Sequence, residues 1–116
     1  MATYPTELTS QLKANDSVVK YVPLEYGWVA ITEERVLYNT RIYYTDTKSK
    51  QVETANLPIT KISSIATKQI KVKACIGSKS VGVLAINVQG TVYNLMVGKN
   101  IGAAQSLIQE FNARSG

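Results

Sequence analysis

A polar turn between two runs of strand-forming residues places the strongest constraint on the fold of this chain. The run from Trp28 to Thr32 contains Trp, Val and Ile, Glu33 and Glu34 follow it, and a longer run continues from Arg35 to about Tyr44. This pattern predicts a β-hairpin. On the second run, alternate side chains form one apolar face that we expect to lie in a core: Val36, Tyr38, Ile42 and Tyr44.

The rest of the chain carries further strand-like segments separated by turn residues. Gln89 and Gly90 form a two-residue connection between two apolar runs, which predicts a second tight hairpin. Pro58 ends a more polar run, because proline cannot donate a hydrogen bond to a sheet. The predicted strands outside the first hairpin are 18–22, 51–57, 62–75, 81–88 and 91–97.

The longest of these segments changes its alternation partway. Ile65 occupies an odd position, whereas Ile70 and Val72 occupy even positions. An unbroken strand presents alternate residues to opposite faces, so it cannot keep all three side chains in one core. We therefore predict a bulge or turn near Lys68 and Gln69.

Two segments have helical rather than strand periodicity. Thr6 is a candidate N-cap for a short helix that carries Leu8 and Leu12 four residues apart. Near the other end, Asn100 is a candidate cap for an amphipathic helix. The apolar stripe of this second helix comprises Ile101, Ala104, Leu107, Ile108 and Phe111.

Seven strand-like segments followed by one helix resemble the pleckstrin-homology-like (PH-like) superfold. The run 30–38 and the isoleucine-rich run 59–65 are similar to segments of bacterial PH-like and GRAM-like domains, and the resemblance covers roughly residues 18–112. It implies one domain over residues 1–116, mainly β, with a partly open barrel of two near-orthogonal antiparallel sheets closed by the C-terminal helix. It also implies a binding role and self-association.

The resemblance does not transfer a ligand to this chain, because the same superfold serves lipid binding, peptide binding and scaffolding. Its phosphoinositide-binding members use basic residues in the loop that joins the first two strands. Here that loop is 23–27, which contains Glu25 and no base. This departure counts against an inositol-phosphate site.

Composition excludes several classes of protein. With 45% hydrophobic and 18% charged residues, the chain can bury a core and does not resemble a disordered tail. The apolar runs are far shorter than the roughly 20 residues that span a bilayer. The first residues lack the basic start and apolar centre of a secretory signal, so we expect a cytoplasmic protein. Cys75 has no partner for an internal disulfide, and we expect a small, largely buried side chain.

Residues suited to catalysis are scarce. The sequence has no histidine, no glycine-rich phosphate loop and no paired acids other than Glu33 and Glu34, which lie on a turn. Adjacent turn residues seldom converge on one reacting atom, and one cysteine with scattered acids is a poor ligand set for a transition metal. We expect no enzyme activity, no cofactor and no metal.

The positive charge is concentrated in the second half. Residues 1–53 carry six basic and seven acidic side chains, whereas residues 54–109 carry six lysines and no acid, so the net charge of +5 belongs to the later segment. Such an asymmetry favours anionic partners. The candidate anionic-surface residues lie within nineteen positions: Lys61, Lys68, Lys71, Lys73 and Lys79.

These lysines have two interpretations. Lys71 and Lys73 alternate with apolar residues and should project from the same outer face, where lysine protects an exposed strand from aggregation. Alternatively, the lysines bind an acidic lipid surface, each contributing on the order of 1 kcal/mol, which would place the protein at the membrane periphery. Nucleic acid is the weaker target, because no aromatic residue interrupts the basic run for base stacking.

An interaction module requires no special side chains, because an exposed strand edge can add a strand from another chain. The leading prediction is a noncatalytic module that assembles with itself or docks a partner protein, and the alternative is peripheral binding to acidic lipid. Candidate interface residues are Trp28, Tyr43 and Tyr44. Each of them also fits packing in the core. The two tyrosines beside Arg41 are a candidate site for stacking of nucleic-acid bases.

Overall fold

The computed structural model of this chain describes residues 4–12, 17–44, 47–73, 76–98 and 101–115, with the backbone alone at Lys73. Seven strands and two helices follow one another along it. They are α1 (Thr6–Thr9), β1 (Val18–Leu24), β2 (Gly27–Thr32), β3 (Arg35–Tyr44), β4 (Ser49–Pro58), a 3-10 turn (Ile59–Lys61), β5 (Ile62–Lys73), β6 (Ser78–Val88), β7 (Thr91–Met96) and α2 (Ile101–Ser115).

The strands form one curled antiparallel sheet in the order β1-β2-β3-β7-β6-β5, and β4 pairs with the other edge of β3. β2 and β7 both pair with the edge of β3 that lies opposite β4. β2 pairs with residues 36–39 of β3, and β7 pairs with Ile42 and Tyr43. This arrangement joins the first four strands to the last three and confirms the predicted mainly β, partly open barrel.

The first hairpin forms as predicted, and Thr32 stabilises its turn. The hydroxyl Oγ1 of Thr32 accepts hydrogen bonds from the backbone N–H groups of Glu34 at 3.2 Å and Arg35 at 3.0 Å. Threonine is favoured at such a turn because its short side chain reaches backbone donors two and three residues ahead.

The second hairpin also forms as predicted. Gln89 and Gly90, which join β6 to β7, have φ angles of 53° and 94°. Positive φ at both central residues is typical of a type I′ turn, which matches the natural twist of paired strands.

The main core lies on the concave inner face of the sheet, where α2 covers it. Even-numbered residues of β3 point into this core, and the opposite face of the sheet is called the outer face below. The predicted helical stripe is confirmed: Ala104, Leu107 and Phe111 are buried, and Ile101 and Ile108 pack against them. Burial of a leucine or phenylalanine side chain stabilises the fold by roughly 1.5 to 3 kcal/mol. The predicted cap, Asn100, lies outside the described residues.

α2 bridges the open side of the barrel by contacting both β1 and β5. Its end is tied to the first hairpin by Arg114, whose guanidinium lies 3.0 Å from the Glu33 carboxylate and 2.7 Å from that of Glu110. The hydrogen bond to Glu33 is the main cause that raises the pKa of Arg114. Glu33 is therefore an exposed turn residue, as predicted, that also pairs with the closing helix.

Two smaller apolar clusters lie on the outer face. In the first, α1 places Leu8 against Trp28, Ala30 and Leu37. The second joins the far end of the β5–β6 hairpin to the centre of the sheet, and its buried members are Tyr43, Val72 and Met96, with Ile70 and Val81 packed against them. The sheet is consequently covered on parts of both faces.

The second outer cluster explains why the predicted bulge near Lys68 and Gln69 is wrong. β5 pairs with β6 in unbroken register from Ser64 to Lys73, and its irregularity lies between Ile62 and Ser64. Ile65 points into the main core and Val72 into the outer cluster, so both can be buried without any change of register. The prediction assumed that only one face would be covered.

Several element boundaries also differ from prediction. Thr6 is the first residue of α1 and does not cap it, because Pro5 occupies the N-cap position. β1 continues through Pro23 to Leu24, which an edge strand tolerates since one side needs no donor. Ser78, predicted to be in a turn, begins β6, and Cys75 lies outside the described residues. Along the described residues, neither helix has the length and apolarity needed to cross a bilayer.

Candidate functional site

An open cleft of about 270 Å³ on the outer face gathers residues from four separate parts of the chain. The β1–β2 turn forms one wall, the start of β4 another, and the start of β6 with the end of β7 forms the rest. The lining residues are Glu25, Tyr26, Lys50, Lys79, Ser80, Val81, Gly82, Met96 and Gly98.

The cleft exists because the β1–β2 turn abuts β3 and the end of β7. A Cβ atom on Gly27 would lie 2.7 Å from Cα of Thr40 and closer still to the carbonyl oxygen of Asn39. Gly98 has a φ of 60°, and a Cβ atom there would collide with the Glu25 side chain. Glycine at these two positions therefore allows the turn to fit against its neighbours.

Cationic groups outnumber acids around the cleft. The guanidinium of Arg41 lies 4.2 Å from the centre of the Tyr26 ring, a cation–π contact. The side chains of Lys50 and Lys79 line the cleft and are exposed, and Glu25 is the acid in its wall. The cleft thus combines two solvated ammonium groups with an aromatic ring and the apolar side chains of Val81 and Met96.

The fold does not bring the four predicted lysines whose side chains are described into one patch. Lys79 lines the cleft, whereas Lys61 lies on the 3-10 turn next to the start of β5. Lys68 and Lys71 are exposed on opposite faces of β5, because they are three positions apart in a regular strand. The backbone of Lys73 pairs with Ser78. The role of these lysines in binding an anionic surface stays a prediction.

The three candidate interface residues are packed within the chain. Trp28 is 5% exposed below α1, and its ring centre lies 6.3 Å from that of Tyr21. Burial, followed by the charge of Glu7, raises the pKa of Tyr21. Tyr43 is 6% exposed in the second outer cluster, and Tyr44 packs against the main core and donates a hydrogen bond to Glu53. A further role for these residues at an interface stays a prediction.

Sequence reasoning missed two members of the candidate site, Tyr26 and Lys50, and did not predict the contact between Arg41 and Tyr26. A stacking role for Tyr43 and Tyr44 beside Arg41 stays a prediction. A signal for Lys50 was present, because the β3–β4 hairpin pairs it with Tyr43 and so places it on the outer face. Tyr26 carried no comparable signal, since its position depends on how a turn meets strands distant in sequence.

The described residues contain no group of three or more Cys, His, Asp or Glu side chains that could hold a metal ion. The cleft itself offers groups for charge pairing by ammonium groups, hydrogen bonding by a carboxylate and a serine hydroxyl, and contact with an aromatic ring.

Comparison with known proteins identifies the architecture. No model of a known protein family matches the sequence, and no curated protein matches it either. The structure is similar to the crystal structure of a pleckstrin homology domain from Shewanella amazonensis SB2B, with a TM-score of 0.54 and 16% sequence identity over 92% of this chain and 93% of that one. The strand order, the closing helix and this structural likeness together show that the chain has the PH-like fold.

Proposed function

We propose that this chain is a noncatalytic interaction module that associates with a second copy of itself by pairing along the free edge of β4. PH-like domains are generally noncatalytic binding modules, which supports the first half of the proposal. The edge of β4 with which no described strand pairs supports the self-association, and it is the single observation on which the proposal depends.

All ten residues of β4 pair with β3 on one side. In the described part of the chain, no strand pairs with the other side of β4. An edge of this length presents a row of backbone donors and acceptors that an added strand can satisfy. Val52, near the middle of β4, is 66% exposed and offers an apolar contact on the outer face.

The side chains of β4 favour one register for an antiparallel pair of identical strands. With a two-fold axis at Val52, that residue faces its own copy, Gln51 faces Glu53, and Lys50 faces Thr54. A two-residue shift in one direction would place Glu53 opposite Glu53, and like charges directly opposite each other are destabilising, whereas a shift in the other direction would place Val52 opposite Lys50 and lose the apolar pair. Val52 is therefore the position that should control self-association.

Sedimentation velocity from micromolar to millimolar protein tests the proposal with two matched variants. Val52→Lys places a charge at the two-fold axis and should keep the chain monomeric at concentrations where the wild type is dimeric. Val92→Lys is the control, because Val92 is also an exposed valine, 41% accessible, but lies on β7. A wild-type chain that stays monomeric at millimolar concentration would remove self-association and leave strand addition from a partner protein.

Peripheral binding to acidic lipid is the second candidate, and the tip of the β5–β6 hairpin favours it. Ile76 is 94% exposed there, with exposed lysines, Lys71 and Lys79, on the two flanking strands. An apolar tip flanked by cations suits a membrane surface, where each lysine contributes about 1 kcal/mol. Cosedimentation with acidic vesicles that is unchanged by replacing Lys71 and Lys79 with glutamine would remove this candidate. Lipid binding should weaken steeply with salt, whereas the β4 pairing should persist.

A further inference from the structure

We infer that the outer-face cleft binds an acidic, extended segment of a partner protein. In this arrangement Lys50 and Lys79 pair with carboxylates of the segment, and the exposed part of the Tyr26 ring contacts an apolar side chain. This site differs from the β4 pairing proposed above, because it is formed by side chains and needs no second copy of the chain; Lys50 is the residue of β4 that lines it.

Charge identifies the ligand as acidic. Among the described lining residues Lys50 and Lys79 are the cations and Glu25 is the acid, and the guanidinium of Arg41 lies over the ring of the lining residue Tyr26. Arg41 is half-buried with its charge on the Tyr26 ring, so the two exposed lysines are the groups free to meet a ligand. A surface of one predominant sign attracts the opposite sign and sets the register of the partner.

The mixed lining favours a peptide over a polyphosphate or a lipid headgroup. The carboxylate of Glu25 can accept hydrogen bonds from the backbone N–H groups of a peptide, whereas it would repel the concentrated negative charge of a phosphate group. The 37% exposure of Tyr26, together with half-buried Val81, provides an apolar surface for an aliphatic side chain.

The size of the cleft also favours a peptide segment over an enclosed small molecule. Its volume of about 270 Å³ is below the range of roughly 300 to 1,000 Å³ typical of pockets that enclose a whole small molecule. An open cleft of this size can hold one or two side chains of a chain that continues across the surface. The walls are held by paired strands and by a turn packed against β3, so the site is organised before binding.

Fluorescence anisotropy with a designed peptide tests the inference on the full chain. The probe is a fluorescein-labelled nonapeptide, capped at both ends, that carries four glutamates around a central leucine, and the matched probe carries glutamines instead. We expect the double variant Lys50→Gln, Lys79→Gln to weaken binding of the acidic probe about tenfold, since each exposed ion pair contributes up to about fivefold. Tyr26→Ala should weaken it further by removing the ring.

A charge-matched control separates site binding from general attraction. Lys20→Gln, Lys61→Gln removes two exposed lysines near the β2–β3 end of the barrel, away from the cleft, and should change the affinity less than twofold. Equal loss in the two double variants would overturn the inference, as would equal binding of the glutamine probe. Binding of acidic vesicles or RNA that depends on Lys50 and Lys79, with no binding of the peptide, would also overturn it. Val52→Lys should retain peptide binding, so the failure of either proposal leaves the other testable.

Discussion

Replacing Gly27 with alanine should destabilise the chain more than any other glycine-to-alanine change among the described glycines that keep a negative φ. The added Cβ would lie 2.7 Å from Cα of Thr40, 2.9 Å from the carbonyl carbon of Asn39, and closer to the Asn39 oxygen. All three neighbours are backbone atoms of β3, so no flexible side chain can move aside. Overpacking of this kind costs about 1 to 3 kcal/mol when side chains can adjust, and a rigid backbone places the cost at about 3 kcal/mol or more.

For a domain of this size we expect the melting temperature of Gly27→Ala to fall by about 12 °C, at roughly 4 °C for each kcal/mol. Gly102→Ala is the matched control, because Gly102 lies in α2 and an added Cβ meets nothing within 4 Å. Alanine in a helix is favoured over glycine by up to about 1 kcal/mol, so this variant should melt slightly above the wild type. Differential scanning calorimetry of the three proteins decides the matter. If Gly27→Ala melts at the wild-type temperature, the β1–β2 turn does not abut β3 as described.

Two further predictions concern the main core. Leu107→Ala should cost about 2 to 5 kcal/mol of unfolding free energy in urea, because Leu107 lies on the buried side of α2 and is 0% exposed. Gln109→Ala, on the exposed side of that helix, should cost less than about 0.5 kcal/mol. Equal effects would mean that α2 does not close the barrel. Burial, assisted by the charge of Glu53, raises the pKa of Tyr38, so its contribution to stability is complete below about pH 10, where the unfolded phenol titrates, and is lost as the pH rises beyond that value. When the pH is raised from about 8 to about 11, the free energy of unfolding should therefore fall less for Tyr38→Phe than for the wild type. An identical fall in the two proteins would contradict the raised pKa of Tyr38.

Local patterns were sufficient to predict most of the fold. The alternation of β3 identified which of its side chains enter the core, and Gln89-Gly90 identified a tight turn, because both depend on residues close in sequence. The helical stripe of α2 was equally clear, since Leu107 and Phe111 are one helical turn apart and both are buried. These predictions needed no knowledge of the three-dimensional neighbours.

The misplaced bulge shows where local patterns fail. Ile65 and Val72 require opposite faces in a regular strand, and sequence alone does not reveal that both faces of β5 are covered. Met96 and Tyr43, which bury Val72, come from strands 24 and 29 positions away. The error lay in assuming a single core, not in the period of the strand.

The candidate site was harder to predict than the fold for a related reason. Proximity in sequence grouped Lys68 and Lys71, but a three-residue spacing places them on opposite faces of β5. Lys50 and Lys79 are 29 positions apart in the sequence, yet they line the same cleft. A charge run in a strand therefore does not by itself identify which side chains share a surface.

The cleft owes its position to the topology of β3. β2 occupies one edge of β3 as far as Asn39 and β7 occupies the same edge at Ile42 and Tyr43, so the two strands meet end to end and the β1–β2 turn fills the junction. Glu25 and Tyr26 project from that turn into the cleft and belong to none of the buried clusters. Gly27 fits the turn against β3, whereas the two residues before it contribute side chains to the cleft. Changes at positions 25 and 26 should therefore alter recognition at little cost in stability, and a change at position 27 should do the reverse.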